Sequence, residues 1–147
     1  MRTRFTIVAL TIISTISFTS ITQAAGLSVT TAQKFNVNAS RLNIAGDVNN
    51  AGTLQITTGA INLGGNWTNT GVFLAGSSEV AFKGPAPSTI KGENYFFNFT
   101  CTQPGKQLSF EAGKTQTIDG AWTLTGANSG LIVLKSTIAG TQWMVNP

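Results

Sequence analysis

The amino-acid sequence predicts an all-β protein, a right-handed parallel β-solenoid of about six short coils that follows a signal peptide. Three observations lead to this prediction. The N-terminus runs from basic to apolar to small residues, the rest of the chain alternates apolar and polar residues in short segments, and one segment is repeated without a gap. An antiparallel β-sandwich, which also uses many short strands, is the alternative.

The signal peptide is predicted to comprise residues 1–24. Arg2 and Arg4 supply the basic end, and the apolar run 5–18 follows before small residues lead to Ala24. The basic end stays on the cytoplasmic side, the apolar run enters the translocon, and small side chains fit the peptidase. Cleavage is expected after Ala24 or one residue later, so the mature segment begins at residue 25 or 26.

The apolar run is too short for a membrane anchor, because a span needs about 20 predominantly apolar residues. Threonines and serines interrupt this run, and no second run of the kind occurs. We therefore expect an exported protein with no integral membrane segment after cleavage. Its expected location is extracellular, at the cell surface or in the periplasm.

The charge pattern argues against a nucleic-acid partner. The full chain carries a net charge of +4, and removal of Arg2 and Arg4 leaves seven basic against five acidic residues. The remaining basic residues are scattered singly and form no cluster or stripe. The mature segment, residues 25–147, has the length of one domain.

Short alternating apolar pairs define the predicted strands of this domain. Threonine and β-branched residues favour strands, whereas the bounding Gly, Asn, Ser and Pro residues favour turns. In chain order the pairs are Phe35 with Val37, Leu42 with Ile44, Leu54 with Ile56, Ile61 with Leu63, Val80 with Phe82, Leu108 with Phe110, and Trp122 with Leu124. The segment 83–88, which holds two prolines, is predicted to be a loop.

An internal repeat relates residues 42–54 to residues 61–73, with the same offset at every position. Four polar or glycine positions are identical, namely Asn43 and Asn62, Gly46 and Gly65, Asn50 and Asn69, and Gly52 and Gly71. Four apolar positions match in kind, namely Leu42 and Ile61, Ile44 and Leu63, Val48 and Trp67, and Leu54 and Phe73. A weaker third copy is predicted at residues 117–124.

A period of about 20 residues with short strands and Gly/Asn corners is typical of a β-solenoid, in which one repeat forms one coil. Equivalent residues of successive coils then stack about 4.8 Å apart. We expect Asn50 to lie on Asn69 in a side-chain amide ladder and Val48 to lie on Trp67.

Two turn motifs favour the sandwich alternative. Pro104 and Gly105 occupy the central positions expected of a type II turn within residues 102–106, and residues 111–114 form a second tight-turn candidate. In a sandwich these turns would join antiparallel strands as hairpins.

The order of several motifs resembles the repeats of large bacterial surface and exported proteins, the filamentous-haemagglutinin-like and related β-helix proteins. The resemblance covers roughly residues 42–147, and its motifs lie at 65–73, 79–84, 96–100, 113–118 and 140–143. It implies architecture more than activity. In such proteins a segment of this kind is usually one piece of a longer chain.

The residue inventory argues against an enzyme. The chain has no histidine, which excludes Ser–His–Asp triads, Cys–His pairs and imidazole metal sites. The five acidic residues are dispersed along the chain, which disfavours a two-carboxylate glycosidase and a calcium site. We therefore predict no catalytic residue, no metal and no cofactor.

The tryptophans Trp67, Trp122 and Trp143 are the candidate ligand-stacking residues, for a sugar partner. Packing inside the coil is the favoured interpretation, because Trp67 occupies a repeat position.

Cys101 is the single cysteine, so no internal disulfide forms. Its alternation with Tyr95, Phe97 and Phe99 predicts a buried thiol on the same face as those three aromatic residues.

The sequence thus predicts a non-enzymatic exported structural or adhesive surface module. A carbohydrate-binding module is the first alternative, and a polysaccharide-acting β-helix enzyme is the second, less favoured one.

Residues 138–147 are apolar, carry no charge and resemble no cap, so we expect a segment truncated at its C-terminus or one that stacks end-on on another copy. The expected partners are surface polysaccharide or other copies of the solenoid.

Overall fold

The computed structural model describes residues 21–147, which form short β-strands arranged as successive sets of three. The first three sets are β1 (Ile21–Ala24), β2 (Leu27–Val29), β3 (Lys34–Val37), β4 (Ser40–Ile44), β5 (Val48–Asn50), β6 (Thr53–Ile56), β7 (Gly59–Leu63), β8 (Trp67–Asn69) and β9 (Val72–Leu74). The next three sets are β10 (Glu79–Phe82), β11 (Ser88–Lys91), β12 (Asn94–Phe96), β13 (Asn98–Cys101), β14 (Gln107–Phe110), β15 (Thr115–Ile118), β16 (Trp122–Leu124), β17 (Val133–Ser136) and β18 (Met144–Asn146).

Every third strand belongs to the same face of the stack. One six-stranded sheet has the order β1-β4-β7-β10-β13-β16, and a second has the order β2-β5-β8-β11-β14-β17. The third face is divided into a sheet of β3-β6-β9 and a sheet of β12-β15-β18. From β1 to β16 the chain completes five full turns of three sides each, close to the predicted six, which confirms the parallel β-solenoid.

All ladder pairings between these strands are parallel. Within residues 21–147 the antiparallel pairing is limited to an isolated bridge between Ala127 and Gly130. The antiparallel sandwich is therefore wrong. The described part of the chain contains no helix that is long and apolar enough to cross a membrane.

The two tight turns exist, but they are corners of coils and not hairpins. Lys106 N donates to Gln103 O at 3.2 Å across Pro104 and Gly105, and Gly105 has φ +72°. This is the geometry expected of a type II turn, yet it joins β13 to β14, which belong to different sheets. The local signal predicts the turn correctly but leaves the partner of the next strand open.

The repeat register is confirmed residue by residue. Val48 pairs with Trp67 and Asn50 with Asn69 between β5 and β8. The same offset relates β4 to β7 and β6 to β9. Equal coil length places like residues above like residues, so the matched apolar positions form continuous interior columns.

The prediction of a weaker third copy of the repeat at residues 117–124 is wrong. Trp122 lies on β16 and pairs with Phe99 of β13 in the first sheet, whereas Trp67 lies on β8 in the second sheet. The later coils are longer, so a resemblance in sequence does not place residues 117–124 at the equivalent point of the turn.

The prediction for Cys101 is correct for the thiol and wrong for two of the aromatic residues expected on its face. Cys101 and Phe99 are buried on the same face of β13 as predicted, but Tyr95 is exposed and Phe97 only half-buried. The chain turns a corner at Phe97, between β12 and β13, so the alternation does not run through. Phe96, which the alternation places on the opposite face, points inward instead.

The predicted signal peptide falls largely on residues 1–20, which lie outside the described residues. Its last four residues form β1, which pairs in parallel with β4 through Ile21 with Leu42 and Ala24 with Ile44. Cleavage after Ala24 would therefore remove one edge strand from the first sheet and leave β4 as its new edge.

Candidate functional site

Trp67 lies in the interior of the solenoid. It is fully buried, its ring meets Phe73 edge-on at a centroid distance of 4.9 Å, and its Nε1 donates to Asn94 Oδ1 at 2.8 Å. A ligand cannot stack on this ring while the coils remain closed. Of the two interpretations of Trp67, the structure agrees with packing inside the coil.

Trp122 and Trp143 are brought together at the last described coil, far along the stack from Trp67. Both are half-buried, and their rings meet edge-on at 6.4 Å. Trp143 stacks on Phe110 at a centroid distance of 3.9 Å and an interplanar angle of 15°. Since one face of Trp143 is covered by Phe110, its remaining surface and the edge of Trp122 form an aromatic cluster at the periphery of the core.

Side-chain ladders connect the regular coils. Inside, Asn50 Nδ2 donates to Asn69 Oδ1 at 2.7 Å and to Val72 O at 2.9 Å. On the outer surface, Asn62 Nδ2 donates to Asn43 Oδ1 at 2.6 Å. Both ladders follow from the constant coil length, and the inner one confirms the predicted amide ladder.

A second buried polar network lies in the next two coils. Asn94 accepts from Trp67 and donates through Nδ2 to Gln116 Oε1 at 2.8 Å, and Gln116 Nε2 donates to Gly92 O at 2.9 Å. Asn94 and Gln116 are both buried. Sequence reasoning missed them, because the coil length changes here and no repeat offset connects them.

The acidic residues mainly serve local structure. Asp47 Oδ1 accepts from Asn66 N at 2.6 Å, and Glu111 Oε2 accepts from Gly92 N at 2.7 Å. Asp119 hydrogen-bonds Tyr95, which raises the pKa of the exposed Tyr95 hydroxyl. Residues 21–147 hold no group of three His, Cys, Asp or Glu side chains placed to bind a metal ion.

Lys106 is the buried cation of the described region. Its Nζ donates to Ala86 O at 2.5 Å, in the predicted proline loop between β10 and β11. Burial lowers the pKa of Lys106, and the electrostatic contribution of Cys101 opposes this shift. The amine therefore anchors the loop by a single hydrogen bond to a carbonyl oxygen.

Comparison of the chain with protein-family models, with curated proteins and with solved structures finds no match. The resemblance to filamentous-haemagglutinin-like repeats therefore rests on the sequence motifs and is supported at the level of the β-solenoid fold. Identification of function depends on the surfaces that the fold presents.

Proposed function

We propose that the protein is an exported, non-enzymatic structural or adhesive surface module. The observation that carries the proposal is the stack of in-register coils with uncharged polar residues on its outer faces. Ser28, Asn49 and Thr68 form one outward column, which continues to Lys91, and Asn43 and Asn62 form another. Such a surface is solvated mainly by uncharged polar groups, with single charges such as Lys91 among them, and suits a rigid spacer or an adhesive contact area.

The side-chain chemistry supports a non-enzymatic role. A glycosidase needs one carboxylic acid and one carboxylate across a cleft, held in different protonation states. Here the carboxylates of Asp47 and Glu111 accept hydrogen bonds from backbone N–H groups, and Asp119 is hydrogen-bonded to Tyr95. Lys106 and Cys101 are buried within the coils and have no imidazole partner.

Export is tested by expressing the full chain in a bacterial host and fractionating the cells. We expect a product outside the cytoplasm that begins at residue 25 or 26, because the leader has the basic–apolar–small order. N-terminal sequencing measures the cleavage site. A membrane-bound product that retains Met1 would overturn this part of the proposal.

The adhesive role is tested with residues 25–147 coated on a surface. We expect bacteria to be retained on the native coat under flow more than on the same protein coated after denaturation. The same preparation is assayed for release of reducing sugars from plant and bacterial polysaccharides. Equal retention on both coats, or reducing-sugar release by the native protein alone, would contradict the proposal.

A carbohydrate-binding role at the aromatic cluster is the second candidate. The half-buried Trp122 and Trp143 favour it, since aromatic faces stack on sugar rings. Trp143→Ala should abolish polysaccharide binding in affinity electrophoresis if this role is correct. Trp122→Ala, at the neighbouring position, is the companion variant, and unchanged mobility of both would exclude the cluster.

A further inference from the structure

A groove of about 180 Å³ crosses three consecutive coils at the corner that follows β2, β5 and β8. We call it the corner groove. Its lining consists of Ser28, Val29, Thr30, Thr31, Asn49, Asn50, Ala51, Thr68 and Thr70. The lining residues are hydroxyl, amide and small apolar side chains, without a charge or an aromatic ring among them.

The shape of the groove follows from the register of the coils. Val29 pairs with Asn50 and Asn50 with Asn69, so the following residues Thr30, Ala51 and Thr70 form one column. All three residues of the column are exposed. The small Ala51 between two threonines leaves a hollow that is walled by Thr30 on one side and Thr70 on the other.

Asn50, one of the lining residues, carries an unpaired acceptor that is buried in the interior. Asn50 is 1 % exposed, and both contacts of its Nδ2 go toward the following coil. Its Oδ1 has no partner among the described residues. The coil below carries Val29 at the equivalent position, so the amide ladder ends there and leaves Oδ1 without a donor.

We propose that the corner groove binds one ring of a neutral sugar through the sugar's hydroxyl groups. Serine and threonine hydroxyls donate and accept, as sugar hydroxyls do, and the exposed amide of Asn49 adds a donor and an acceptor. An anionic ligand would find no cation in the lining to pair with. The groove is smaller than the roughly 300 Å³ at which pockets for drug-sized ligands begin, which limits the occupant to a single ring.

This inference deepens the proposed adhesive function by naming its ligand class, and it rests on that function for its biological purpose. The site differs from the Trp122–Trp143 cluster in position and in chemistry. Binding without aromatic stacking is expected to be weak, with a dissociation constant of about 1 mM. Many weak sites on a coated surface would still give retention by avidity.

The test is a titration of isotope-labelled residues 25–147 with the methyl glycosides of glucose, galactose, mannose and N-acetylglucosamine, followed by amide NMR shifts. We expect at least one of these sugars to give saturable shifts confined to residues 28–31, 49–51 and 68–70. Glucuronate should bind no more tightly than glucose. The absence of saturable groove shifts with all four glycosides would overturn the proposal, as would tighter binding of glucuronate.

Two variants separate the groove from a general surface effect. Ala51→Leu fills the hollow and should weaken binding at least about tenfold, whereas Ala139→Leu, at an exposed turn between β17 and β18, should leave it unchanged. The isosteric double variant Thr30→Val/Thr70→Val removes two hydroxyls and should also weaken binding. Unaltered affinity in both groove variants would overturn the proposal, and a thermal melt confirms that each variant folds.

The flow assay distinguishes this inference from the proposed function. Loss of retention with Ala51→Leu but not with Ala139→Leu connects the groove to adhesion. Saturable sugar binding by a protein whose native and denatured coats retain cells equally would uphold the groove and refute the adhesive role. Retention that is unaffected by Ala51→Leu, together with absent groove shifts, would refute the groove and uphold adhesion through another surface.

Discussion

Two regions of the same solenoid differ in the sequence offset between residues that pair in successive coils. In the regular coils, β4–β9, every paired residue has the same sequence offset, which is 19 for Asn50 with Asn69 and for Asn43 with Asn62. In the irregular coils, β13–β18, the offset is larger and grows from Phe99 with Trp122 to Leu108 with Leu134 and then to Thr115 with Met144. The added residues lie at the corners, chiefly in 125–132 and 137–143.

The two regions accordingly use different interior contacts. Equal coil length keeps identical residues in register, which allows the amide ladder between Asn50 and Asn69. Where the offset grows, identical residues no longer match, and the interior uses the mixed amide pair of Asn94 with Gln116 and ring contacts such as the stack of Phe110 on Trp143. Aromatic rings tolerate shifted neighbours because dispersion contacts are not directional, whereas a hydrogen bond fails beyond a few tenths of an ångström.

Strict periodicity is therefore needed for a ladder of identical residues, whereas neither the fold nor the mixed amide pair of Asn94 with Gln116 requires it. The parallel sheets continue through both regions without a break on two of the three faces. On the third face the sheet is interrupted between β9 and β12, where the coil length begins to change.

The largest expected difference concerns buried tryptophans. Trp67→Ala should lower the free energy of unfolding by about 3–5 kcal/mol, because it removes a fully buried ring and the donor to Asn94. Trp122→Ala, in the irregular coils, should cost less than about 2 kcal/mol, because that ring is half-buried. Urea unfolding measures both. A larger loss for Trp122→Ala would reverse the comparison.

Glycines should be needed for different reasons in the two regions. A Cβ at Gly71 would lie 2.7 Å from the carbonyl carbon of Ala51, so Gly71→Asn should cost about 3 kcal/mol by overpacking. Gly113 has φ +74° and open space around it. Gly113→Asn should cost less than about 1 kcal/mol, since asparagine adopts this conformation readily. Equal losses in chemical denaturation would show that the regular coils do not require the close approach.

The two ladders of the regular coils should differ by their burial. Asn69→Ala removes the acceptor of Asn50 Nδ2 in the interior and should cost about 1–2 kcal/mol. Asn62→Ala removes the donor to Asn43 on the partly exposed outer face and should cost about 0.5 kcal/mol. Thermal unfolding of the pair measures the difference. A cost for Asn62→Ala that matches or exceeds that of Asn69→Ala would contradict the ladder account.

The smallest expected effect is a pH dependence from Lys106. Burial lowers the folded-state pKa of Lys106 below its ordinary value of 10.5, so the unfolded chain binds the proton more tightly. Stability should therefore rise with pH between the lowered pKa and 10.5, and Lys106→Met should lack this rise. The pKa of Tyr95 is raised above 10.0, so the protonated hydroxyl stabilises the folded chain. This stabilisation is lost as the pH rises through the raised pKa, which opposes the effect of Lys106.

The measurement is the unfolding free energy from pH 7 to pH 11, with Tyr95→Phe as the background for both proteins because it removes the opposing titration. A pH profile of Lys106→Met that parallels that of its background would show that the amine is not perturbed by burial.

The regular coils were predictable from sequence because their information is periodic. The pairing of Asn43, Asn50 and Val48 with their partners one coil later follows from the offset alone. The irregular coils were not predictable in the same way. The inward position of Phe96 depends on a corner at Phe97, and no local rule in the run of aromatic residues locates that corner.

The candidate sites were only partly predictable. The sequence identified all three tryptophans but could not separate Trp67 from the Trp122–Trp143 pair, because their grouping depends on coil lengths. The corner groove had no sequence signal at all. It arises where Val29 ends an amide ladder and Ala51 interrupts a column of threonines, and both facts depend on the register between coils.

The parallel winding has a consequence for how this chain acquires its structure. In residues 21–147 every ladder partner lies about one coil away, as β7 does from β4, and the isolated bridge at Ala127 and Gly130 is the short-range exception. Proteins dominated by non-local pairing fold slowly, in milliseconds to seconds. Since no hairpin closes early, we expect the nascent chain to remain extended for longer than a hairpin-rich protein would, and coils to add one after another onto a first completed turn.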